Sequence, residues 1–182
     1  MPFATTTKRS LSGHWEGYYS QHDAQWPIIA DLDQEGERLT GTMNDVCTVI
    51  ASSISELAMR EGLPPGADEQ IVQHVRSLIP NAQPGPVLAE VHLPPLSVLE
   101  GEVIGLSIQF RKTYQGLHFV GYRIGDLRVG RLGAAPEVLY RGRLNGDGTE
   151  IEGRWQAAGR PELGITRCIE GGFWLRRVEG EE

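Results

Sequence analysis

At 182 residues the chain has the length of one domain, and with 40% apolar against 23% charged residues it can bury about 70% of its unfolded surface around its own core. Its 17 basic residues are outnumbered by 24 acidic ones, for a net charge of -7. That balance opposes attraction to phosphate backbones and anionic lipid surfaces, so neither nucleic acid nor a membrane is expected as a partner.

In chain order, β-rich runs near Ser12 to Ser20, Trp26 to Asp33 and Glu37 to Val46 predict three strands. Ala51 to Pro80 then changes character. Ile71, Val72, Val75, Leu78 and Ile79 recur at helical spacing after Asp68, a candidate N-cap, and Pro80 stops the run. Ile54, Leu57 and Ala58 predict a shorter helix before Gly62-Leu63-Pro64-Pro65-Gly66. Residues 51–80 therefore read as a helical insertion within a single 1–182 domain. Its apolar stripe needs a surface to bury against, and the barrel mouth is the expected one, with the helices as a lid or a plug.

Further strands are expected over Val87 to Leu93, Glu102 to Tyr114, Gly116 to Arg123, Asp126 to Leu132 and Gly172 to Val178. The clearest unit lies before the last of these. Over Val138 to Gln156, Tyr140, Gly142 and Leu144 alternate with arginines and Asn145; after Asn145-Gly146-Asp147-Gly148, Ile151, Gly153 and Trp155 alternate with Glu150, Glu152 and Arg154. Period-two alternation around such a turn makes a hairpin with one apolar face. About ten strands exceed what one open antiparallel sheet holds without curling. The expected fold is all-β, an antiparallel up-and-down barrel of about eight to ten strands, with glycines such as Gly17, Gly41, Gly105, Gly121, Gly142 and Gly153 allowing close backbone approach.

Leu11-Ser12-Gly13-His14-Trp15-Glu16-Gly17-Tyr18-Tyr19, followed by Gly36-Glu37-Arg38-Leu39-Thr40-Gly41, resembles the first hairpins of the calycin superfamily of lipocalins, fatty-acid-binding proteins and avidins. The shared elements are Gly-x-Trp, here Gly13 and Trp15, and a Leu-Thr-Gly signature. Ile108 to Tyr114, with Tyr140-Arg141-Gly142 and Ile151 to Trp155, looks like paired strands of such barrels, whereas Ala51 to Gly101 lies outside the resemblance. The resemblance implies a ligand-holding interior. It also implies a structural clamp in which Trp15 closes one end beneath an arginine near the last strand, here Arg177, which shares the parity of Phe173 and Leu175. Lipocalins often tie the end of the chain to the barrel by a disulfide, which makes a Cys47–Cys168 bridge conceivable.

Against that bridge, Met1 to Leu11 carries no apolar run of signal-peptide type, and no stretch approaches the 18 or so apolar residues of a membrane helix. A cytoplasmic location with two reduced thiols is expected. No catalytic, metal or cofactor signature stands out. Asp31 to Gly36 imitates the start of a calcium loop, but Thr42 occupies the position of its bidentate carboxylate. His14 and Glu16 share a face that reads as solvated. Gly105 to Gln109 lacks the second glycine of a nucleophile elbow, and phosphate-binding glycine loops are absent.

The aromatic residues carry more information. Tyr19, Trp26, Phe110, Tyr114, Phe119, Tyr140 and Trp155 fall mostly on faces assigned inward, either filling the core or lining a cavity. Lys112 continues the parity of Ile104, Leu106, Ile108 and Phe110; it reads as a rim lysine or, with Arg123, as a polar group orienting a ligand. The expected function is binding of a small, largely apolar molecule, an anionic end being compatible with those cations. A filled barrel with a protein partner, or a barrel enzyme of isomerase or cyclase type, are the alternatives, and the balance leans away from catalysis.

Overall fold

The computed structural model describes residues 10–179. Three strands open the chain: β1 (Gly13–Gln21), β2 (Ala24–Glu35) and β3 (Arg38–Asp45). Then come β4 (Val49–Ser53), α1 (Ile54–Glu61), α2 (Ala67–Leu78) and β5 (Val87–His92). β6 (Leu96–Ile104), β7 (Ser107–Tyr114), β8 (Leu117–Ile124) and β9 (Leu127–Ala134) lead to β10 (Val138–Leu144) and β11 (Glu150–Ala157). A 3-10 turn at Pro161–Leu163 precedes β12 (Ile169–Arg177).

Eight strands close into a barrel in the order β1-β12-β11-β10-β7-β6-β3-β2, and every pairing is antiparallel. Without the segments between β3 and β6 and between β7 and β10, the path is a plain up-and-down meander. Those two excursions pair with each other, β5 against β8, giving a second sheet β4-β5-β8-β9. An eight-stranded antiparallel closed barrel with a small helical insertion fits a calycin-like fold in general.

Alternation explains the barrel. Trp15, Leu39, Met43, Leu99, Ile108, Phe110, Ile151 and Leu175 point inward and are buried, and an interior this narrow is filled by side chains. Strand contact is close in places: a Cβ on Gly17 would lie 1.9 Å from the carbonyl oxygen of Trp174. At one end Trp15 donates from Nε1 to the carbonyl of Leu11 at 2.9 Å. The Arg177 guanidinium stands 5.0 Å from the Trp15 ring centroid and donates to the carbonyl of Ser10, a cation-π geometry worth roughly 0.5 to 2 kcal/mol.

Several expectations need correction. Glu102 to Tyr114 is not one strand, because Gly105, at φ 64, turns the chain between β6 and β7. Ile104 and Leu106, expected inward, are therefore 58% and 40% exposed, and inward parity starts only at Ile108. The α2 helix begins after Gly66, with Asp68 in its first turn, where a carboxylate complements the helix dipole. Ser53 and Glu56 form a capping box for α1, so the residues just before it belong to β4, a strand absent from the sequence expectation. The helices pack chiefly on the second sheet: α1 packs on β4 and β5, and α2 packs on α1, while Glu61 of α1 reaches His22 in the β1–β2 turn. The cover comes from the second sheet, whose Ile50 and His118, with Leu93 just after β5, border the barrel end formed by Tyr19, Trp26 and Tyr114. Asp31 to Gly36 is the end of β2 and an ordinary hairpin turn.

Candidate functional site

The inward parity of five barrel strands brings Tyr19, Trp26, Tyr114, Tyr140 and Trp155 around one cavity of about 60 Å³. Tyr19 stacks on Trp26 at 5.2 Å and meets Trp155 edge-on at 6.0 Å. Trp155 is anchored by its Nε1, which donates to the carbonyl of Ser20 at 3.0 Å. Phe110 lies outside the chamber lining; it stacks on Tyr140 at 4.8 Å, and Phe173 meets both rings edge-on.

The polar groups of this chamber are unusual. The Tyr19 hydroxyl is buried without a hydrogen-bond partner, and among the described residues the hydroxyls of Tyr114 and Tyr140 and the guanidinium of Arg160 make no hydrogen bond or ion pair, although all four side chains line the cavity. Burial raises all three phenol pKa values, so the hydroxyls stay protonated. Arg160 follows β11, where its carbonyl accepts from the amides of Leu163 and Ile165. Burial lowers its pKa, against the opposing influence of Tyr114 and Tyr19, but a guanidinium keeps its charge in a protein. The chamber is thus rich in donors without acceptors.

Lys112 is not the orienting cation expected from its parity. Its Nζ donates to Asp45 Oδ2 at 2.6 Å, and neither side chain has any exposed surface. The ammonium also stands 4.6 Å from the Tyr114 ring centroid. Desolvation pushes the Asp45 carboxyl up and the Lys112 ammonium down, each opposed by attraction to the other. Asp45 Oδ1 and the nearby Ser97 Oγ are buried without a hydrogen-bond partner.

Arg123 and Phe119 also fall outside the chamber, on the second sheet. Arg123 pairs with the buried carboxylate of Glu90, which Arg128 contacts at 3.1 Å and His92 at 2.8 Å. Phe119 packs edge-on against His92 at 5.4 Å. The inward assignment of both is corrected: the core-facing parity of β8 is that of His118, Val120 and Ile124, of which His118 lines the chamber, and Phe119 and Arg123 take the other face of a strand that belongs to the second sheet.

Beside the chamber lies a cleft of about 310 Å³ beneath α1, which shares Gln21, Trp26, Ile50 and Arg160 with it and adds Leu57, Val91, Leu163 and Ile165. Glu61 at the end of α1 ties the cleft's edges together, contacting His22 at 3.2 Å and Arg167 at 2.9 Å. A more open depression of about 840 Å³ lies outside the barrel over β1, β2 and β12, with Tyr18 and Trp174 in contact at 5.7 Å.

Elsewhere, His14 bonds Asp31 at 2.7 Å on an exposed face, and no cluster of three metal-ligating side chains occurs among the described residues. Cys47 and Cys168 are unbridged. No helix among the described residues is long and apolar enough to cross a membrane. Two residues of the site were missed in the sequence. Asp45 continues the parity of Leu39 and Met43 and was discoverable by that signal. Arg160 sits in a loop, where the only hint is a cation between Gly159 and Pro161 just past a strand end. Comparison of the chain with protein-family models, curated proteins and solved structures finds no match.

Proposed function

We propose that the protein is a calycin-like binding barrel, of the lipocalin, fatty-acid-binding protein and avidin type, that holds a small, largely apolar molecule with an anionic end in the chamber at the Tyr19 end. The observation that carries this reading is the set of donors without partners. Buried polar groups are nearly always hydrogen-bonded, and those left over call for a water, an ion or a ligand. Here three phenols and one guanidinium converge on an aromatic-walled space. Tyr19, Trp26, Tyr114, Tyr140 and Trp155 are the wall, Arg160 replaces Lys112 and Arg123 as the polar group that orients, and Trp15 with Arg177 clamps the opposite end.

Native mass spectrometry of freshly purified protein tests the reading. A retained small molecule, released on denaturation and lost when Trp26 is replaced by alanine in a folded variant, is the expected result. A chain mass with nothing attached, together with unresponsive Trp26 and Trp155 indole signals across a panel of small apolar probes, would reject it.

The second reading is a protein-interaction barrel. It is favoured by the filled interior below the chamber and by the outer depression at Tyr18 and Trp174. Catalysis has less support, since Lys112 and Asp45, the pair best suited to acid-base work, have no surface through which to reach a substrate.

A further inference from the structure

We propose that Arg160 and the hydroxyls of Tyr19, Tyr114 and Tyr140 form a receptor for a short-chain monocarboxylate, bound with its carboxylate inward and its hydrocarbon end toward the cleft beneath α1. The inference rests on the reading of the chamber as a ligand site and specifies the ligand's class and orientation.

The charge argument comes first. Lys112 is already neutralised by Asp45 at 2.6 Å, which leaves Arg160 as the one unpaired cation among the described side chains that line the chamber. One guanidinium in a low-dielectric site balances a monoanion, while a dianion would bring an uncompensated charge. Protonated phenols add donors and no charge. A carboxylate has two oxygens and about four acceptor positions, which suit a guanidinium fork and O–H donors together.

Size and direction follow from the cavities. About 60 Å³, at roughly 10 to 15 Å³ per water-sized group, holds about four to six heavy atoms, a range that takes in acetate and propionate. All three phenols line the chamber and none lines the cleft, whereas Leu57, Val91, Leu163 and Ile165 line the cleft and not the chamber. Arg160 and Trp26 belong to both. The acceptor end therefore goes inward, and any chain beyond the third carbon runs past Trp26 into the cleft, where Leu57, Val91, Leu163 and Ile165 offer apolar surface beside the polar His22, Arg60 and Glu61.

The test is a titration of the full chain with propionate, propionamide, 1-propanol and inorganic phosphate. The readouts are the Trp26 and Trp155 indole signals and the Arg160 Nε–Hε signal in nitrogen-proton correlation spectra. Propionate should shift all three saturably, with an affinity at least tenfold above that of propionamide. Arg160→Gln should lower propionate affinity tenfold or more and leave propionamide unchanged. Tyr19→Phe keeps the ring and should weaken propionate severalfold, which keeps the proposal testable if the arginine variant does not fold. Equal affinity for acid and amide, tighter binding of phosphate, or indifference to Arg160→Gln or Tyr19→Phe would overturn the carboxylate receptor. Binding of propanol alone would also overturn it while the ligand chamber stands. Silence of the Trp26 and Trp155 signals toward every probe would remove both readings.

Discussion

The Asp45–Lys112 pair is the most consequential interaction between two residues in the barrel. Desolvating two charges costs several kcal/mol per ion, and the pair repays this only while both partners are present. Replacing Lys112 with methionine leaves Asp45 buried and unpaired, an expected loss of about 3–5 kcal/mol. The double variant Asp45→Leu with Lys112→Met should recover most of that loss. Urea titrations of the three proteins measure it; a single variant within about 1 kcal/mol of the parent, or a double variant worse than the single, would show that the pair carries little. Half of this pair was legible: the alternation from Ile108 through Phe110 pointed Lys112 inward, but alternation says which face a side chain takes and not what it meets across the barrel. Asp45 lies 67 residues from Lys112, and no local signal joins them. Arg160 was illegible for a different reason, since a loop has no period from which to assign a face.

Among the elements, the second sheet was least legible. The hairpin β10–β11 could be drawn from its alternation and its Asn-Gly-Asp-Gly turn, though not its charge pairing, since the register sets Arg143 opposite Glu152 but Arg141 opposite Arg154. By contrast β4 has five residues, too few for a period, and it runs directly into a helix cap. The sheet's electrostatic centre is Glu90. Burial pushes its carboxyl up, but hydrogen bonds from Arg123, His92 and Arg128 outweigh that and bring the pKa from 4.5 to about 2. A carboxyl with a lowered folded-state pKa stabilises the fold fully above its unfolded value, and that stabilisation disappears as pH falls through the folded value. At about 1.4 kcal/mol per pH unit, the shift is worth about 3 kcal/mol. Glu90→Gln should therefore be less stable than the parent at pH 6, and the gap should narrow as pH falls from 4.5 toward 2. Denaturation midpoints of both proteins across that range check it. A gap independent of pH would mean that Glu90 acts by packing alone.

For the whole molecule, closure of the barrel was legible because strand number and alternation leave few other solutions. The joining of two distant excursions into one cover was not, since the pairing of β5 with β8 is non-local and neither partner signals the other. The two sheets should differ in stability for a topological reason. Every barrel strand has two hydrogen-bonded neighbours, whereas β4 and β9 are edges with one each, and Leu117, Leu127 and Leu132 of β8 and β9 are exposed. Fewer paired amides and less buried apolar surface lower the free energy of local opening. Native-state hydrogen exchange should show the amides of β4, β5, β8 and β9 opening together, well before those of β1, β10, β11 and β12. Such an opening withdraws Ile50, Leu93 and His118 from the chamber wall while the meander stays closed, and gives a ligand larger than the resting cavity a way in. If the second sheet exchanges as slowly as the barrel, the two sheets open as one cooperative unit. The remaining approach is then the cleft at Arg160, and Glu61→Gln, which weakens the contacts with His22 and Arg167 across its edges, becomes the substitution that should speed ligand exchange.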